Sequence, residues 1–279
     1  MSTARVGQIT IGPGHPLVLI AGPCVLEDEA LVLSTAQRLA RLGADYGIPV
    51  IFKSSYEKDN RSTVDGYRGP GLIRGLQLLD RVRSATGLPL LSDVHREADV
   101  EQAAAVLDVV QVPAFLCRQT SLLLEVGKHA RAANLKKGQF VAPTDMAGSV
   151  EKLRAGGAQH VMLTERGSCF GYNRLVADVT AIPLMQQLGC PVVFDATHIV
   201  RHHGIPSGHP GGGAPELVPV LARAGVAAGA SALFIETHPE PREALCDAAS
   251  MLPLDELGPL LDTVLPIAEA VAAPRAGRA

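Results

Sequence analysis

Six cationic side chains follow apolar segments of the chain or lie close to them. They are Lys53, Lys58, Arg61, Arg118, Lys136 and Arg166. Lysine supplies a point charge, and the planar guanidinium of arginine fits a carboxylate or a phosphate. Six cations around one cavity would repel each other without anions, so the set predicts a substrate with several negative charges. A solvated surface charge is the alternative for each of them, but the position of Lys53 and Arg166 directly after apolar runs favours binding.

A second set of residues has the chemistry of a divalent-metal site. Cys24, His198, Glu236 and Asp247 together offer a thiolate, an imidazole and two carboxylates. The chain has no CxxC or HExxH cluster to support the site by spacing. Taken singly, Cys24 is also compatible with a small core residue, His198 with a polar strand cap, and Asp247 with the cap of a helix beginning near Ala248.

Short apolar segments rich in β-branched residues recur eight times and predict strands that are buried on both faces. They are Leu17–Ala21, Val50–Phe52, Leu90–Ser92, Val109–Val112, Gln139–Ala142, His160–Leu163, Val192–Phe194 and Ala232–Ile235. Segments with helical spacing of apolar residues lie between most of them, for example Ala30–Leu42 and Ala98–Leu107. Eight alternating units over about 250 residues predict an α/β protein of the (β/α)8 TIM-barrel class.

The alternative is an open, doubly wound parallel sheet, which the absence of a Gly-x-Gly-x-x-Gly string after the first strand disfavours. Ile9–Ile11 with Gly12–Gly14 predicts a short additional N-terminal β-hairpin. The Gly/Pro-rich segment Gly204–Pro215 predicts a mobile loop. No linker divides the chain, so residues 1–279 are predicted to form a single catalytic domain whose tail, from about residue 270 to 279, is frayed.

A closed barrel brings the C-terminal ends of its strands to one pocket. Nearly every predicted strand ends in an ionisable or hydrogen-bonding residue, although strand ends are also polar simply because they reach water. Gln111 lies in the fourth strand, and Asp195 follows the seventh. Cys24, His198 and Glu236 follow the first, seventh and eighth strands, which are neighbours in a closed barrel. The order of the strands therefore predicts that both sets of residues meet at one end.

The composition limits which other classes of function the chain can have. The chain has 279 residues, of which 47% are hydrophobic and 19% charged, with a formal net charge of −3. This balance gives no electrostatic reason to expect a nucleic-acid or membrane partner. There is no apolar run of the roughly 20 residues that span a bilayer and no signal-peptide core. The five scattered cysteines disfavour disulfides, so we expect a cytoplasmic protein.

Several strings of the sequence resemble one family, the 3-deoxy-D-manno-octulosonate 8-phosphate synthases, from about residue 15 to about residue 265. The matching strings are Ala21–Cys24, Phe52–Ser62, Tyr67–Gly71, Pro113–Thr120, Lys136–Phe140, Thr164–Gly167, Asp195–His198 and Glu236–Pro241. The Ala-Gly-Pro-Cys string is shared with related aldose-phosphate synthases. The Lys-Ser-Ser and Asn-Arg-Ser strings after the second strand are specific to this family.

The resemblance implies a barrel that condenses phosphoenolpyruvate with D-arabinose 5-phosphate and water. The products are 3-deoxy-D-manno-octulosonate 8-phosphate, which feeds lipopolysaccharide synthesis, and inorganic phosphate. By resemblance, phosphoenolpyruvate is held by Lys53, Lys58, Lys136 and Arg166. Asn60, Arg61 and Ser62 serve arabinose 5-phosphate, the latter two at its phosphate across a subunit boundary. The resemblance thus implies a homo-oligomer, a tetramer, with sites near subunit boundaries.

The predicted site includes two further substrate-binding residues and a catalytic set. Gln111 and Arg118 complete the substrate-binding residues. The catalytic set is Lys53, Lys58, Asn60 and His198.

The family divides into metal-dependent members with Cys at the position of Cys24 and metal-independent members with Asn there. The chain matches the metal-dependent ligand set residue by residue, at Cys24, His198, Glu236 and Asp247, which suits Zn, Fe, Mn or Co. Two departures stand out. Asp59 replaces a small residue, and the Gly204–Pro215 loop lacks the Arg that usually follows its paired glycines.

Two rival functions remain. A sister synthase of the aromatic pathway uses erythrose 4-phosphate and usually carries Lys-Pro-Arg-Thr after the second strand. The Lys53-Ser54-Ser55 string of this chain argues against it. The other rival is a non-catalytic barrel that binds a phosphorylated metabolite or a partner protein, and such a barrel would not need both the cationic set and the metal set.

Overall fold

The protein folds into a closed barrel of eight parallel strands surrounded by helices. A computed structural model describes residues 3–61, 63–202, 204–206 and 208–272. The barrel strands are β3 (Val18–Gly22), β4 (Val50–Lys53), β5 (Leu90–Asp93), β6 (Val109–Val112), β7 (Ala133–Lys136), β8 (Val161–Glu165), β9 (Val192–Asp195) and β10 (Ala232–His238). Every neighbouring pair is parallel, and β10 pairs with both β9 and β3. This closure confirms the predicted (β/α)8 barrel and excludes an open sheet.

Helices follow the strands and cover the outside of the barrel. They are α1 (Glu29–Tyr46), α2 (Leu72–Thr86), α3 (Glu97–Val106), α4 (Thr120–His129), α5 (Met146–Gly156), α6 (Ala181–Gln186), α7 (Ala196–Ile199), α8 (Val218–Ala227) and α9 (Leu257–Ala272). The Asp28 carboxylate begins α1 by accepting hydrogen bonds from Ala30 N and Leu31 N. Helices α1 and α3 correspond to the two predicted helical segments, with ends shifted by a few residues.

Alternation of side chains along the strands creates two apolar layers. In β10, Leu233 and Ile235 pack towards the helices, whereas Ala232 and Phe234 belong to a separate cluster inside the barrel. The antiparallel hairpin of β1 (Ala4–Val6) and β2 (Ile9–Ile11) contributes to this inner cluster. The predicted hairpin is thus confirmed and packs against the barrel interior. Its turn lies at Gly7, whose φ is +56°, and not at Gly12–Gly14.

The prediction of the fifth strand was wrong. Gln139–Ala142 forms turns, and the strand is Ala133–Lys136. The apolar pattern does not predict this strand because it carries a buried asparagine in place of an apolar residue. Asn134 donates to Gln111 Oε1 at 2.9 Å and accepts from Thr164 Oγ1 at 2.7 Å. Polar partners on the two adjacent strands therefore satisfy a side chain that makes the segment look like a loop.

The barrel strands also extend farther than the apolar runs. Lys53, Asp93, Glu165 and Asp195 are the last residues of β4, β5, β8 and β9, and Glu236 lies within β10. A short strand β11 (Leu252–Pro253) pairs with the end of β10. The ionisable groups are thus held by ladder hydrogen bonds, which fixes their positions more firmly than a loop would.

Parts of the predicted mobile segments lie outside the described residues. The Gly204–Pro215 loop contains a 3-10 turn at Pro210–Gly212, but Ser207 is not described, and its mobility stays a prediction. Helix α9 continues to Ala272, and residues 273–279 lie outside the description. None of the helices described between residues 3 and 272 has the length and apolar character needed to cross a bilayer.

Candidate active site and metal cluster

Two polar cavities lie at the C-terminal end of the barrel. The larger has a volume of about 380 Å³, and Lys58, Asn60, Arg61, Arg166, His198 and Asp247 are among its lining residues. The smaller, about 90 Å³, shares four of these residues and adds Asp93, Gln111 and Lys136. The structure therefore brings most of the predicted cationic set and part of the predicted metal set to one place.

Two of the lysines lie above the aromatic floor of the barrel. Lys136 Nζ is 3.9 Å from the centre of the Phe234 ring, and Lys53 Nζ is 5.4 Å from it. Lys136 lines the smaller cavity, whereas Lys53 lies beneath it with only 1% of its surface exposed. Lys53 Nζ donates to Glu236 Oε1 at 2.5 Å and to the Cys24 carbonyl at 3.0 Å. The ammonium group of Lys53 thereby links β4 to two of the proposed metal ligands, Cys24 and Glu236.

Gly22 permits this close approach of β3 and β4. Its φ is +153°, and a Cβ there would lie 2.1 Å from the Lys53 carbonyl oxygen. Any side chain at this position would push the end of β4 away and move Lys53. The glycine of the Ala-Gly-Pro-Cys string therefore has a steric role in the site.

Three buried carboxylates that the sequence did not assign to the cationic pocket partly neutralise it. Asp195 Oδ2 accepts from Lys136 Nζ at 2.7 Å, and Lys58 Nζ lies 3.8 Å from Asp93 Oδ2 and 3.9 Å from Glu236 Oε1. Burial raises the pKa of the Asp195 carboxyl, but His198 and Lys136 lower it more, and the net pKa lies well below its usual value. The position of these carboxylates at strand ends indicates that they lie at the site. The sequence does not indicate which lysine each of them contacts.

Opposing effects of burial and charge also set the pKa values of Glu236 and Lys58. Burial raises the pKa of Glu236, but the charges of Lys53 and His198 bring it down to about 2. Burial lowers the pKa of Lys58, but Asp93 and other nearby groups raise it well above its usual value. Both groups are therefore charged at neutral pH.

Arg166 differs from Lys53, Lys58 and Lys136 because its guanidinium has no carboxylate oxygen within 4 Å among the described residues. Its side chain is buried, and burial lowers the pKa of its guanidinium. Nη1 makes no hydrogen bond to any group in the described part of the chain. A buried donor without a partner is costly, and a bound anion would satisfy it.

Gln111 is oriented by the same polar layer that contains Asn134. Its Oε1 accepts from Asn134 Nδ2 at 2.9 Å, and its side chain lines the smaller cavity. With the carbonyl oxygen engaged, the amide nitrogen can donate into the cavity. Gln111 can therefore hydrogen-bond an anion held by Lys136 and Arg166.

The segment after β4 brings Lys58, Asn60 and Arg61 to the larger cavity. Ion pairs hold this segment, because Arg68 contacts both Glu57 and Asp59, and Arg96 does so too. Asp59, the residue that departs from the family pattern, thus joins a network with two arginines. The next residue of the predicted sugar-binding string, Ser62, lies outside the described residues.

Arg118 is not part of the pocket formed by this chain. Its side chain is exposed, and its carbonyl accepts a hydrogen bond from Lys152 Nζ at 3.1 Å. The six predicted cations therefore do not all converge in this chain, because Arg118 is exposed in the segment between β6 and α4 and lines neither cavity.

The proposed metal ligands converge in two overlapping groups that share Asp247. Ligand atoms of His198, Glu236 and Asp247 lie within 4.8 Å of one another, and so do those of Cys24, Cys246 and Asp247. His198 Nε2 is 3.6 Å from Glu236 Oε2 and 3.8 Å from Asp247 Oδ2, and Cys24 Sγ is 3.4 Å from Asp247 Oδ2. Ligands of a tetrahedral ion at the usual bond lengths are about 3.3–3.8 Å apart.

Each carboxylate of the cluster directs one oxygen to a cation and the other to the centre. Glu236 Oε1 binds Lys53, while Oε2 is buried and has no hydrogen-bond partner among the described residues. Asp247 Oδ1 binds Arg201, while Oδ2 faces Cys24 and His198. A cation bound between these groups would satisfy the buried Glu236 oxygen, which lies 3.6 Å from His198 Nε2.

The backbone around the cluster supports the same interpretation. Asp247 has a φ of +48°, a costly conformation for a residue other than glycine, and no helix begins at Ala248. Asp195 Oδ1 accepts from the His198 backbone N at 3.0 Å, and Oδ2 lies 2.8 Å from His198 Nδ1. Asp195 therefore orients the imidazole so that Nε2 faces the other ligands, as carboxylates beside metal-bound histidines do.

A buried ion pair lies behind the strands that carry Lys136 and Arg166. Lys137 Nζ is 3.4 Å from Glu165 Oε2, and both side chains are 0% exposed. Glu165 Oε1 also accepts from Gly167 N at 2.7 Å. Because side chains alternate along a strand, Lys136 and Arg166 face the cavity while their neighbours Lys137 and Glu165 face outward.

We expect Lys137→Met to lower the free energy of unfolding by about 3 kcal/mol, because it leaves a buried carboxylate without its charge partner. The double variant Lys137→Met/Glu165→Leu should recover most of this loss. Urea unfolding of the wild type, both single variants and the double variant measures the coupling. Single variants as stable as the wild type would show that the pair does not hold these strands.

Fold and site together define the class of this protein. It is a (β/α)8 barrel with a cation-lined pocket for a polyanionic ligand and an adjacent candidate metal-binding cluster. Residues 1–271 match the model of the family described as DAHP synthetase I, and the chain belongs to that family.

Curated relatives match nearly the whole chain. A protein of Syntrophotalea carbinolica is 51% identical over 265 residues, 95% of this chain and 95% of the relative. One from a Synechococcus species is 49% identical over 272 residues, 97% and 95% of the two chains. One from Desulfosudis oleivorans is 50% identical over 278 residues, 99% of each. All three are named 2-dehydro-3-deoxyphosphooctonate aldolase.

Proposed function

We propose that this chain is a 3-deoxy-D-manno-octulosonate 8-phosphate synthase. It condenses phosphoenolpyruvate with D-arabinose 5-phosphate and water, and it releases inorganic phosphate. The product is a precursor of lipopolysaccharide. The names of the curated relatives support this activity over that of the synthase that uses erythrose 4-phosphate.

One observation carries the proposal. Lys58, Asn60 and Arg61, from the segment specific to this family, line the same cavity as Arg166, His198 and Asp247. A sugar phosphate held by the first group is thereby next to an anion held by Arg166 and to the candidate metal cluster. A barrel that only bound a metabolite would not need the sugar-binding segment, Arg166 and the candidate metal cluster around one cavity.

The inner, smaller cavity is the proposed phosphoenolpyruvate site. Lys136, Arg166 and Lys58 line it and supply charge for the phosphate and the carboxylate, and Gln111 adds an amide donor. Lys53, one layer below, holds Glu236 and contributes its charge to the same region. Asp195 keeps Lys136 in place through its 2.7 Å contact. Fixed charges of this kind stabilise a reacting anion without reorganisation of solvent.

The condensation joins C3 of phosphoenolpyruvate to the aldehyde carbon of the sugar. The aldehyde oxygen takes a proton, and water adds its hydroxyl at C2 and releases its other proton, which restores the acid. Phosphate then leaves with cleavage of the C2–O bond and carries the hydroxyl proton as C2 becomes a carbonyl. We propose that the ammonium group of Lys58 donates to the aldehyde oxygen, because its raised pKa keeps it protonated. Asn60, next to Lys58 in the cavity wall, orients the sugar.

We propose that Cys24, His198, Glu236 and Asp247 hold a divalent ion of Zn, Fe, Mn or Co. The unsatisfied Glu236 oxygen and the spacing of the ligand atoms support this assignment. Such an ion, when bound, polarises a carbonyl or orients a water molecule. The residues themselves position it, since Asp195 orients His198, and Lys53 and Arg201 hold the carboxylates.

We further propose a homotetramer whose sites lie near subunit boundaries. Exposed aromatic side chains support a contact surface at the pocket edge: Phe115, Phe140, Phe170 and Tyr172 are 57–96% exposed. They follow β6, β7 and β8, which are adjacent in the barrel. Exposed aromatic side chains on three adjacent strand-end segments are typical of an interface. Arg118 lies on the same side, which suits a role in a neighbouring subunit's pocket.

The proposed setting is a single catalytic domain that works in the cytoplasm. All five cysteines are free, which suits a reducing compartment.

The choice of sugar tests the function. We expect kcat/KM with arabinose 5-phosphate to exceed that with erythrose 4-phosphate at least tenfold, which requires only about 1.4 kcal/mol of differential transition-state binding. Phosphate release from phosphoenolpyruvate, measured with each sugar and with none, gives the comparison. Equal rates or a preference for the four-carbon sugar would favour the sister synthase, and no release with either sugar would favour a binding protein.

A further inference from the structure

Two sulfur atoms are in contact beside the proposed metal ligands. Cys24 Sγ and Cys246 Sγ are 3.1 Å apart, although 222 residues separate them along the chain. Both side chains are buried, with 0% and 3% of their surface exposed. The role proposed for the metal cluster uses Cys24 and leaves Cys246 without a function. A disulfide needs about 2.05 Å between the sulfurs, so the two must approach by about 1 Å.

We propose that Cys24 and Cys246 form an oxidation site, at which a hydroperoxide converts the two thiols into a disulfide and thereby removes a metal ligand. The backbone favours the small movement required. Cys24 follows β3 by two residues, and Cys246 lies in the irregular segment between β10 and β11. The Cys24 carbonyl accepts from Ser55 N at 3.2 Å and from Lys53 Nζ at 3.0 Å, so the movement is assigned to Cys246, which lies outside any strand.

The oxidant can approach from the larger cavity. Arg61 and Asp247 line that cavity, and each touches one of the two sulfurs. Arg61 Nη1 donates to Cys246 Sγ at 2.6 Å, and Asp247 Oδ2 lies 3.4 Å from Cys24 Sγ. A cavity of about 380 Å³ admits a molecule as small as hydrogen peroxide. The first attack is assigned to Cys246, because it is 3% exposed whereas Cys24 is fully buried.

The chemistry is a two-electron oxidation. The Cys246 sulfur takes one oxygen from the hydroperoxide as the O–O bond breaks, giving a sulfenic acid and one molecule of water or alcohol that carries the displaced proton. The Cys24 sulfur then attacks, the S–S bond forms, the S–O bond breaks, and a water molecule leaves with the Cys24 proton. Two thiols and one hydroperoxide thus give one disulfide, one water and one further water or alcohol.

The disulfide and the metal exclude each other. A metal ligand must be a thiolate, and a sulfur in a disulfide is not one. A bound ion in turn occupies Cys24 and shields it from attack. This part of the inference rests on the proposed metal site, whereas formation of the disulfide does not.

Peptide mapping of the metal-free, reduced chain after treatment with hydrogen peroxide tests the proposal. We expect the peptides of Cys24 and Cys246 to be linked, with the loss of two hydrogen atoms. Cys246→Ser should abolish the link while keeping all four proposed ligands. Cys190→Ser is the matched control, because Cys190 is also buried beside an arginine, with Arg154 Nη2 at 3.8 Å. In the Cys190→Ser variant, the Cys24–Cys246 link should form as in the wild type.

Metal content provides the second measurement, with Zn²⁺ as the probe because it has no redox chemistry of its own. The oxidised chain should bind Zn²⁺ about 100-fold or more weakly than the reduced chain, and reduction should restore the affinity. Zn²⁺ at ten times its dissociation constant should slow the linkage about tenfold, because only the metal-free fraction reacts. Oxidised chain that still binds Zn²⁺ as tightly as reduced chain would overturn the exclusion.

Another cysteine of the chain serves as an internal control for the oxidation. Cys169 is exposed and reports that the oxidant was effective. Oxidation of Cys169 without a link between Cys24 and Cys246 would overturn the proposal. A reduced chain that takes up no Zn²⁺ would overturn the metal site and, with it, the exclusion, while the mapped link would still decide the disulfide.

Discussion

Removal of divalent metal is expected to abolish activity, and restoring Zn, Fe, Mn or Co is expected to recover it. Burial, followed by the contact with Cys246, raises the pKa of the Cys24 thiol well above its usual value. Cys24 is therefore a neutral thiol without a metal, and a bound cation would ionise it. The loss should be about 100-fold or more, since a metal that polarises a carbonyl contributes several kcal/mol to the transition state.

Variants of Cys24 test whether this residue is a metal ligand or only a packing residue. We expect Cys24→Ala to weaken metal affinity by about 100-fold or more, because even loss of a residue that only supports a ligand costs 10–100-fold. Cys24→Asn imitates the metal-independent branch and should keep some activity in the presence of chelator. The same substitution to alanine at buried Cys190 is the control and should leave metal content unchanged. Full activity in excess chelator, from a protein without bound metal, would contradict this role of Cys24.

Arg166→Ala is expected to lower kcat/KM by about 100- to 1,000-fold or more, the loss seen when a donor to a developing anion is removed. Its stability should be unchanged or higher. Arg166 Nη1 is buried without a hydrogen-bond partner among the residues that the structure describes, so removal of the side chain relieves a cost that the bound substrate offsets. Steady-state kinetics and thermal unfolding of the same preparations measure the two effects.

Lys136→Ala should lower both activity and stability, in contrast to Arg166→Ala. Activity should fall by a similar factor, but stability should fall as well, because the variant leaves the buried carboxylate of Asp195 without its 2.7 Å partner. Lys128→Ala and Arg154→Ala, at surface positions outside the pocket, are matched controls. Near-normal catalytic efficiency of Arg166→Ala or Lys136→Ala would remove that residue from the substrate site.

The apolar pattern was sufficient to predict the barrel, because a strand buried on both faces needs a continuous apolar run. It failed at β7, where Asn134 is satisfied by Gln111 and Thr164 on the flanking strands. A pattern of apolar residues cannot show that a polar side chain has partners 23 and 30 residues away in the chain. The same limit explains why strand ends such as Asp195 were placed in the loops.

The sequence by itself determined most of the chemical groups at this end of the barrel, because closure of a barrel carries the residues after each strand to one end whatever the details of packing. It also indicated the family, through the segment from Phe52 to Ser62. Only the tertiary structure decided which groups touch. It separated Lys136 and Arg166, which line the cavity, from Lys53 beneath it, and it left Arg118 outside.

The tertiary structure also decided the balance of charge. The sequence suggested a cavity of unpaired cations, whereas Asp93, Asp195 and Glu236 lie within reach of the lysines. It likewise brought Cys246 to Cys24. Contacts of this kind depend on side-chain direction and on ångström-scale distances between distant segments. Spacing along the chain does not encode these quantities, because packing of the whole barrel sets them.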